Sequence, residues 1–227
     1  MRYSVILFCF VSTLVFAQDS ITTPPLDLKF REDHFYFGIL FNTFLDRPIG
    51  FTQSKLSPGF QLGYLRDIPI NSSRTLAIAP GLGFSHSSNN LNLIVSSQSQ
   101  SQVYSIGSPS DFSKNRLTLN SIDFPFELRW RNATPDSHRF FRVYTGFKLS
   151  YIFSHLYVNE NSESTVRIRN LKYLERWTYG AYIAAGYNTW NFYLYYGLNR
   201  MFSDELNTLD DPLRVRILSL GLQFYIL

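Results

Sequence analysis

The sequence predicts an all-β fold: a transmembrane, antiparallel, up-and-down β-barrel of about eight strands whose lumen is filled by side chains. Three observations lead there. Segments with a two-residue period, the mark of a strand with two unlike faces, recur about eight times. Ten of the twelve glycines fall on the polar parity of those segments, beside the charged residues. Long polar connections alternate with short ones along the chain.

A chain of 227 residues with 45% hydrophobic content suits one such unit. Arg2, the apolar run Val5 to Val15, and Val15-Phe16-Ala17 before Gln18 read as a secretory signal over 1–17, cleaved after Ala17. Residues 18–33, with Pro24 and Pro25, read as a periplasmic N-terminal lead-in, and 34–227 as the barrel domain. Cleavage removes Cys9, the one cysteine, so neither a disulfide nor a Cys-based metal site is expected. Phe8 is too large to precede a lipidated cysteine. The formal charge of +4 falls by one with Arg2, and no long basic run points to nucleic acid. Beyond the leader no stretch of about 18 apolar residues offers a spanning helix. Membrane residence therefore requires a closed barrel, because only helices and barrels satisfy every backbone group in lipid.

The first segment, 35 to 43, sets Phe35, Phe37, Ile39 and Phe41 against Tyr36, Gly38, Leu40 and Asn42. The second, 59 to 65, opposes Phe60, Leu62 and Tyr64 to Gly59, Gln61 and Gly63. In the third, 75 to 85, Leu76, Ile78, Pro80, Leu82 and Phe84 face away from Ala77, Ala79, Gly81 and Gly83. The fourth, 122 to 130, carries Ile122, Phe124, Phe126, Leu128 and Trp130 on one parity and Asp123, Pro125, Glu127 and Arg129 on the other. The fifth, 141 to 153, repeats this with Arg142, Tyr144, Gly146, Lys148 and Ser150 on its polar side. The sixth (178 to 187), seventh (192 to 198) and eighth (213 to 227) complete the set. Glycines beside charges make a poor soluble core but suit a crowded narrow lumen, so the bulky residues are expected to face lipid.

Connections near 44–56, 86–116, 154–176 and 199–212 are long, and those near 66–74, 131–139 and 188–190 are short. Long loops outside and short periplasmic turns set the orientation. Aromatics fall where membrane interfaces should be: Phe41, Phe84, Tyr151, Phe153 and Trp177 at the outer rim, and Trp130, Phe141, Tyr187, Trp190 and Phe192 at the inner. Leu91-Asn92-Leu93-Ile94-Val95, inside a serine-rich stretch, reads as a hairpin above the membrane. Parity changes between Phe84 and Leu91, and between Leu119 and Ile122, predict bulges, as do Pro80 and Pro125.

Ser121-Ile122-Asp123-Phe124-Pro125-Phe126-Glu127-Leu128, Val143-Tyr144-Thr145-Gly146-Phe147-Lys148 and the closing Gly221-Leu222-Gln223-Phe224-Tyr225-Ile226 carry a resemblance over most of the mature chain. With them the chain resembles the PorT-like outer-membrane β-barrel proteins, of the porin-family outer membrane β-barrel type. The resemblance implies location in the cell outer membrane of a Gram-negative bacterium and an accessory role in type IX protein secretion. Ser219, Gly221, Phe224 and Ile226 resemble the C-terminal signal read by the barrel-insertion machinery, with Leu227 as one extra residue.

The candidate constellation is the lumen charge set Asp123, Glu127, Arg129, Arg142 and Lys148. A turn symmetric about 135 and 136 places Asp123 opposite Lys148, Glu127 opposite Tyr144, and Arg129 opposite Arg142, with Glu127 between the arginines. An internal ion-pair network is the expected reading, since lone buried charges are costly; a proton or ion path is the sharper one. Of the histidines (His34, His86, His138, His155), His86 with Ser87 and Ser88 is placed to meet His155 above the membrane, though no triad spacing accompanies them. Arg167 with Arg169, and Arg214 with Arg216, are candidates for lipid phosphate. Asp204, Glu205, Asp210 and Asp211 lack a calcium-loop spacing, and Asp19-Ser20-Ile21 has the form of a bacterial O-glycosylation acceptor.

The expected protein is therefore no enzyme, uses no cofactor or metal, and anchors or contacts partners. Those partners are outer-membrane lipid and lipopolysaccharide, the insertion machinery and secretion-system proteins. The alternatives are a barrel enzyme modifying outer-leaflet lipid and a soluble ligand-binding β-barrel.

Overall fold

The structure, a computed structural model, describes residues 33–53, 55–98, 101–108, 110–132, 141–162, 164–203 and 213–226. The leader, most of the lead-in, Cys9, Asp19-Ser20, His138, the acids Asp204 to Asp211 and Leu227 lie outside the described residues. Among those described, every regular element is a strand: β1 (His34–Leu45), β2 (Pro58–Leu65), β3 (Ile68–Pro69), β4 (Leu76–Asn90), β5 (Leu93–Gln98), β6 (Ser101–Ile106), β7 (Lys114–Arg131), β8 (Phe141–Glu160), β9 (Thr165–Ile168), β10 (Trp177–Tyr187), β11 (Trp190–Gly197) and β12 (Arg216–Ile226).

Eight of these form the wall, in the order β1, β2, β4, β7, β8, β10, β11, β12, each antiparallel to the next. β12 pairs back onto β1 from Phe35 opposite Ile226 to Leu45 opposite Arg216, which closes the barrel and leaves the wall without an edge. β3 lies on β4 at the inner end, β9 extends β8 at the outer end, and β5 with β6 form a separate hairpin. That hairpin begins within the predicted 91–95 stretch.

The faces follow the predicted parity. Phe124, Phe126, Leu128 and Trp130 are 43 to 50% exposed, whereas Asp123, Glu127 and Arg129 between them are at most 1% exposed. Greasy residues outside and ions inside are the inverse of a water-soluble barrel, so the soluble ligand-binding alternative is set aside. Inside, four of the glycines leave room for a ring. Tyr36 lies across Gly63 and Gly83, Tyr182 across Gly146 and Tyr195 across Gly180, where an added Cβ would collide with the aromatic carbons or hydroxyl. At the inner rim a short turn joins β10 to β11, with Asn188 at φ 55°, a left-handed conformation that asparagine tolerates.

The wall is taller than predicted on one side, where β4 reaches Asn90, β7 begins at Lys114 and β8 runs to Glu160. The reason is a change of solvent. Above the membrane the outward residues of β7 are Asn120, Thr118, Arg116 and Lys114, and the buried ones are Leu119 and Leu117. Polar groups now face water and apolar ones the interior, so the lipid-facing pattern stops although the strand continues.

This inversion also corrects an expected bulge between Phe84 and Leu91. β4 keeps one register against β7 from Leu76 opposite Trp130 to Asn90 opposite Arg116. The bulge predicted between Leu119 and Ile122 is present as a register shift at Asn120/Ser121, opposite which Phe153 and Ser154 are both exposed. Neither proline makes a bulge, which corrects that expectation too. An extended residue's N and O share one edge of the strand. Pro80 O accepts from Arg66 N at 2.9 Å, so its nitrogen faces Arg66 just past the end of β2, and the one return bond it cannot make lies at the end of that ladder. Opposite Pro125 the β4 ladder skips Gly81 and Leu82, then resumes at Gly83 in the same register.

Leu220 lies on the lipid face of β12, 45% exposed. Leu220→Arg is expected to destabilise the folded barrel by about 2 to 4 kcal/mol, read as a lowered urea midpoint for the protein refolded into phospholipid vesicles. An unchanged midpoint would place this residue away from acyl chains.

Candidate functional site: a filled lumen and its outer cap

Inside the inner half of the wall, polar side chains form one connected chain. Asp67, just beyond β2, holds two arginines: Arg129 Nη1 lies 3.0 Å from its Oδ1 and Arg131 Nη2 3.0 Å from its Oδ2. Arg129 Nε is 2.8 Å from Glu127 Oε2, and Glu127 Oε1 accepts from the hydroxyls of Tyr182 and Tyr225 at 3.1 Å each. Gln223 donates to Tyr225 Oη (2.7 Å), Gln61 donates to Gln223 (2.6 Å), and Lys148 donates to Gln61 (3.0 Å). Lys148 Nζ stands 3.5 Å from Asp123 Oδ2, and Ser85 donates to Asp123 Oδ1 at 3.1 Å. The cations also lie over rings: Arg129 is 4.9 Å from the centre of Tyr144 and Lys148 4.7 Å from that of Tyr195. A buried charge is tolerable only when paired and hydrogen-bonded, and this arrangement supplies both.

The predicted pairing of these residues is two positions out. Asp123 faces Ser150, Pro125 faces Lys148, Glu127 faces Gly146, Arg129 faces Tyr144, and Arg142 faces Arg131. A slip of two keeps every side chain on its face, so Asp123 and Lys148 still meet, diagonally. Glu127 does not sit between two arginines; Arg142 instead lies 5.9 Å from the ring centres of both Tyr144 and Tyr225. The residues that sequence reasoning missed, Asp67 and Arg131, extend the inward parities of β2 and β7 by one step beyond the predicted strands. The lumen tyrosines of β10 and β11 share the parity of Gly180 and Gly197, so their inward direction was legible but their partners were not.

Above Lys148 the lumen holds a cavity of about 70 Å³ with Ser85, Ser121, Ser150 and Ser219 on its walls and Leu119, Ile152 and Ile217 among its apolar lining. It has room for a few waters. Over it sits a hydrophobic cap: Phe44, Phe51, Leu91, Leu93, Val95, Tyr104, Leu117, Tyr157, Leu171, Leu174, Met201, Phe202 and Val215 pack as one buried cluster.

Polar side chains tie the cap together. Asn92 Nδ2 donates to Gly50 O (2.8 Å) and Gly107 O (2.9 Å), and its Oδ1 accepts from Thr52 N (2.8 Å). Gly50, at φ 82°, occupies the turn closed by Phe51 N to Pro48 O (3.1 Å), a backbone shape that favours glycine. Gln102 on the hairpin donates to Asn170 O (2.6 Å) and accepts from Lys172 N (2.9 Å). Tyr157 Oη donates to Leu93 O (3.0 Å) and accepts from Val95 N (3.2 Å). Burial pushes the Tyr104 hydroxyl up to about 12, so it stays a neutral donor, reaching Gln102 Oε1 at 3.1 Å.

The histidines do not converge. His86 points out of the wall, stacked on Phe60 at 5.2 Å with Nδ1 2.8 Å from Asn120 Oδ1. His155 points in, its Nε2 accepting from Leu171 N at 2.9 Å. The expected meeting of the two fails because they lie on opposite faces of the wall. His34 sits at the inner end, 3.1 Å from Arg129 Nη1.

Arg167, Arg169 and Arg214 are exposed at the outer end. Arg216, on the outer rim, donates to Tyr196 Oη at 3.0 Å and lies 3.4 Å from Asp46. On β12, Ser219 donates inward to Asn42 (2.6 Å), Gly221 packs against the β1 backbone, and Phe224 meets Trp190 at 5.0 Å on the lipid side, with exposed Ile226 below. Among the described residues no group of three or more His, Cys, Asp or Glu is placed to hold a metal ion.

A closed barrel with an apolar exterior and an ionic interior defines an outer-membrane β-barrel protein. The chain belongs to the outer membrane protein beta-barrel domain family, whose model matches residues 16–203, and its location is the outer membrane. It is similar to the crystal structure of Ail, the attachment invasion locus protein of Yersinia pestis, at 11% identity and a TM-score of 0.36, over 85% of this chain and 96% of that one. It is likewise similar to Ail in complex with the heparin analogue sucrose octasulfate, at 10% identity and a TM-score of 0.36, over 86% and 97%. No curated protein sequence matches it.

Asp67→Asn leaves two buried guanidiniums short of their shared charge. A loss of about 3 to 5 kcal/mol is expected, measured from urea unfolding in vesicles; a midpoint equal to the parent's would deny the network any part in stability. Asn92→Ala should raise trypsin cleavage after Lys55 about tenfold, the scale of a lost hydrogen-bond anchor. The wall should stay resistant.

Proposed function

We propose that this protein is a non-enzymatic outer-membrane anchor that works by contacting partners through its outer cap and loops. The observation that carries this reading is the filled lumen. A connected polar chain occupies its inner half, an apolar cluster closes its outer end, and the cavity of about 70 Å³ between them has room for a few waters but not for a solute path. The outer surface is then the part free to act. The PorT-like resemblance of the 121–128, 143–148 and 221–226 segments favours an accessory role in type IX protein secretion.

Lipopolysaccharide is the natural neighbour of the rim. Arg214 precedes lipid-facing Leu218 and Leu220 on the same strand line, and the guanidinium forks of Arg214, Arg167 and Arg169 suit phosphate. The barrel-insertion machinery reads the β12 edge with Phe224 before the barrel closes.

Two measurements test the reading. Purified protein in planar bilayers should give no steady conductance above the lipid background, and a porin-sized conductance would overturn it. Native protein drawn from gently solubilised outer membranes should bring secretion-system components with it; recovery alone would remove the secretion role. Lipid A deacylation abolished by His86→Ala would make the protein an enzyme instead.

A further inference from the structure

The wall has no edge, but its outer extension does. β9 pairs with β8 and, among the described residues, ends the sheet. The hairpin between them closes through Asn161 N to Ser164 O at 3.0 Å, which makes 161 with 164 a hydrogen-bonded pair. Pairs of this kind alternate along an antiparallel ladder. Val166 and Ile168, opposite Asn159 and Tyr157, therefore turn their backbone groups to β8. Thr165 and Arg167 turn theirs away, toward the open side. Both residues are exposed, as are Val166 at 38% and Arg169 just beyond the strand. The edge is held firmly: Ile168 packs on the cap cluster, and Gln102 clasps the chain at Asn170 and Lys172.

We propose that the open edge of β9 is a docking site for an extended segment of a partner protein, which adds as a further strand and carries acidic residues on one face. Two donors and two acceptors, spaced two residues apart, are what strand addition requires. The side chains choose the occupant. Thr165, Arg167 and Arg169 share one face, and Val166 and Ile168 the other, so a strand with Asp or Glu on one parity and β-branched residues on the other matches both. A second copy of this chain does not match: pairing β9 with itself antiparallel sets Arg167 near Arg167, and like charges across strands repel. The edge is thus guarded against its own kind and open to an acidic strand.

This rests on the reading that the outer surface meets a partner, and its test is separable from that reading. The full-length protein in lipid nanodiscs is titrated with a synthetic octapeptide alternating Asp and Val, and backbone amide exchange is followed by NMR. Exchange at Thr165 and Arg167 should slow on binding. The same peptide N-methylated at alternate residues should bind at least about tenfold more weakly, the scale of lost hydrogen bonds.

Thr165→Pro removes an open-side donor and no bond to β8, so the variant should fold as the parent does and bind about tenfold more weakly. Arg167→Glu should reverse the preference toward an alternating Lys and Val peptide. Binding indifferent to N-methylation and to Thr165→Pro would overturn strand addition in favour of charge attraction alone, and no binding would overturn it as well. If Thr165→Pro still brings secretion components from membranes, the edge fails while the contact role stands.

Discussion

Acyl chains neither hydrogen-bond to a peptide group nor solvate an ion, and the architecture follows from that constraint. Every wall strand needs two neighbours, so β12 must return to β1; every ion needs to be enclosed, so the charged parity of β7 and β8 turns to the axis. Enclosure then creates its own demand, because a narrow lumen excludes the water that would otherwise satisfy those ions. Asp67, Glu127, the lumen tyrosines and the paired glutamines Gln61 and Gln223 take the place of that water.

The same residues' neighbours show where the constraint ends. On β7 the step from Ile122 to Asn120 is the step from lipid to water, and beyond it the chain obeys the ordinary rule of apolar inside and polar outside. The protein is thus two solvation problems solved on one set of strands. The inner part is an inverted protein with a polar interior, and the outer part a small conventional core built from Phe44, Leu117, Tyr157 and the loop residues that cover them.

Strand number, order and faces were readable in the sequence because a period of two with bulky and bare sides has few physical meanings. The cap was not. Its residues come from stretches scattered between Phe44 and Val215, and Leu91, Leu171 and Phe202 look alike in a loop whether they pack together or not. The outer halves of β4, β7 and β8 were hidden because their apolar parity reverses its meaning at the membrane surface. The lumen partners were half readable: parity placed Asp123 and Lys148 together, but the register depends on a turn whose length fixes the pairing only to within an even step. Asp67 was missed for want of one more residue on the inward parity of β2.

The polar chain of the lumen joins strands far apart in the sequence: Gln61 to Gln223 and Glu127 to Tyr225 connect β2 with β12 and β7 with β12. Neither bond exists in a partly rolled sheet, where Glu127 lacks Tyr225, Gln61 lacks Gln223, and the ion pairs along β7 and β8 would face hydrocarbon without enclosure. Assembly in the membrane therefore tends toward all or nothing, since an intermediate missing its final seam strands Glu127, Arg129 and Lys148 in the wrong medium. What looks like filler in the finished barrel is, during biogenesis, a penalty on stopping early.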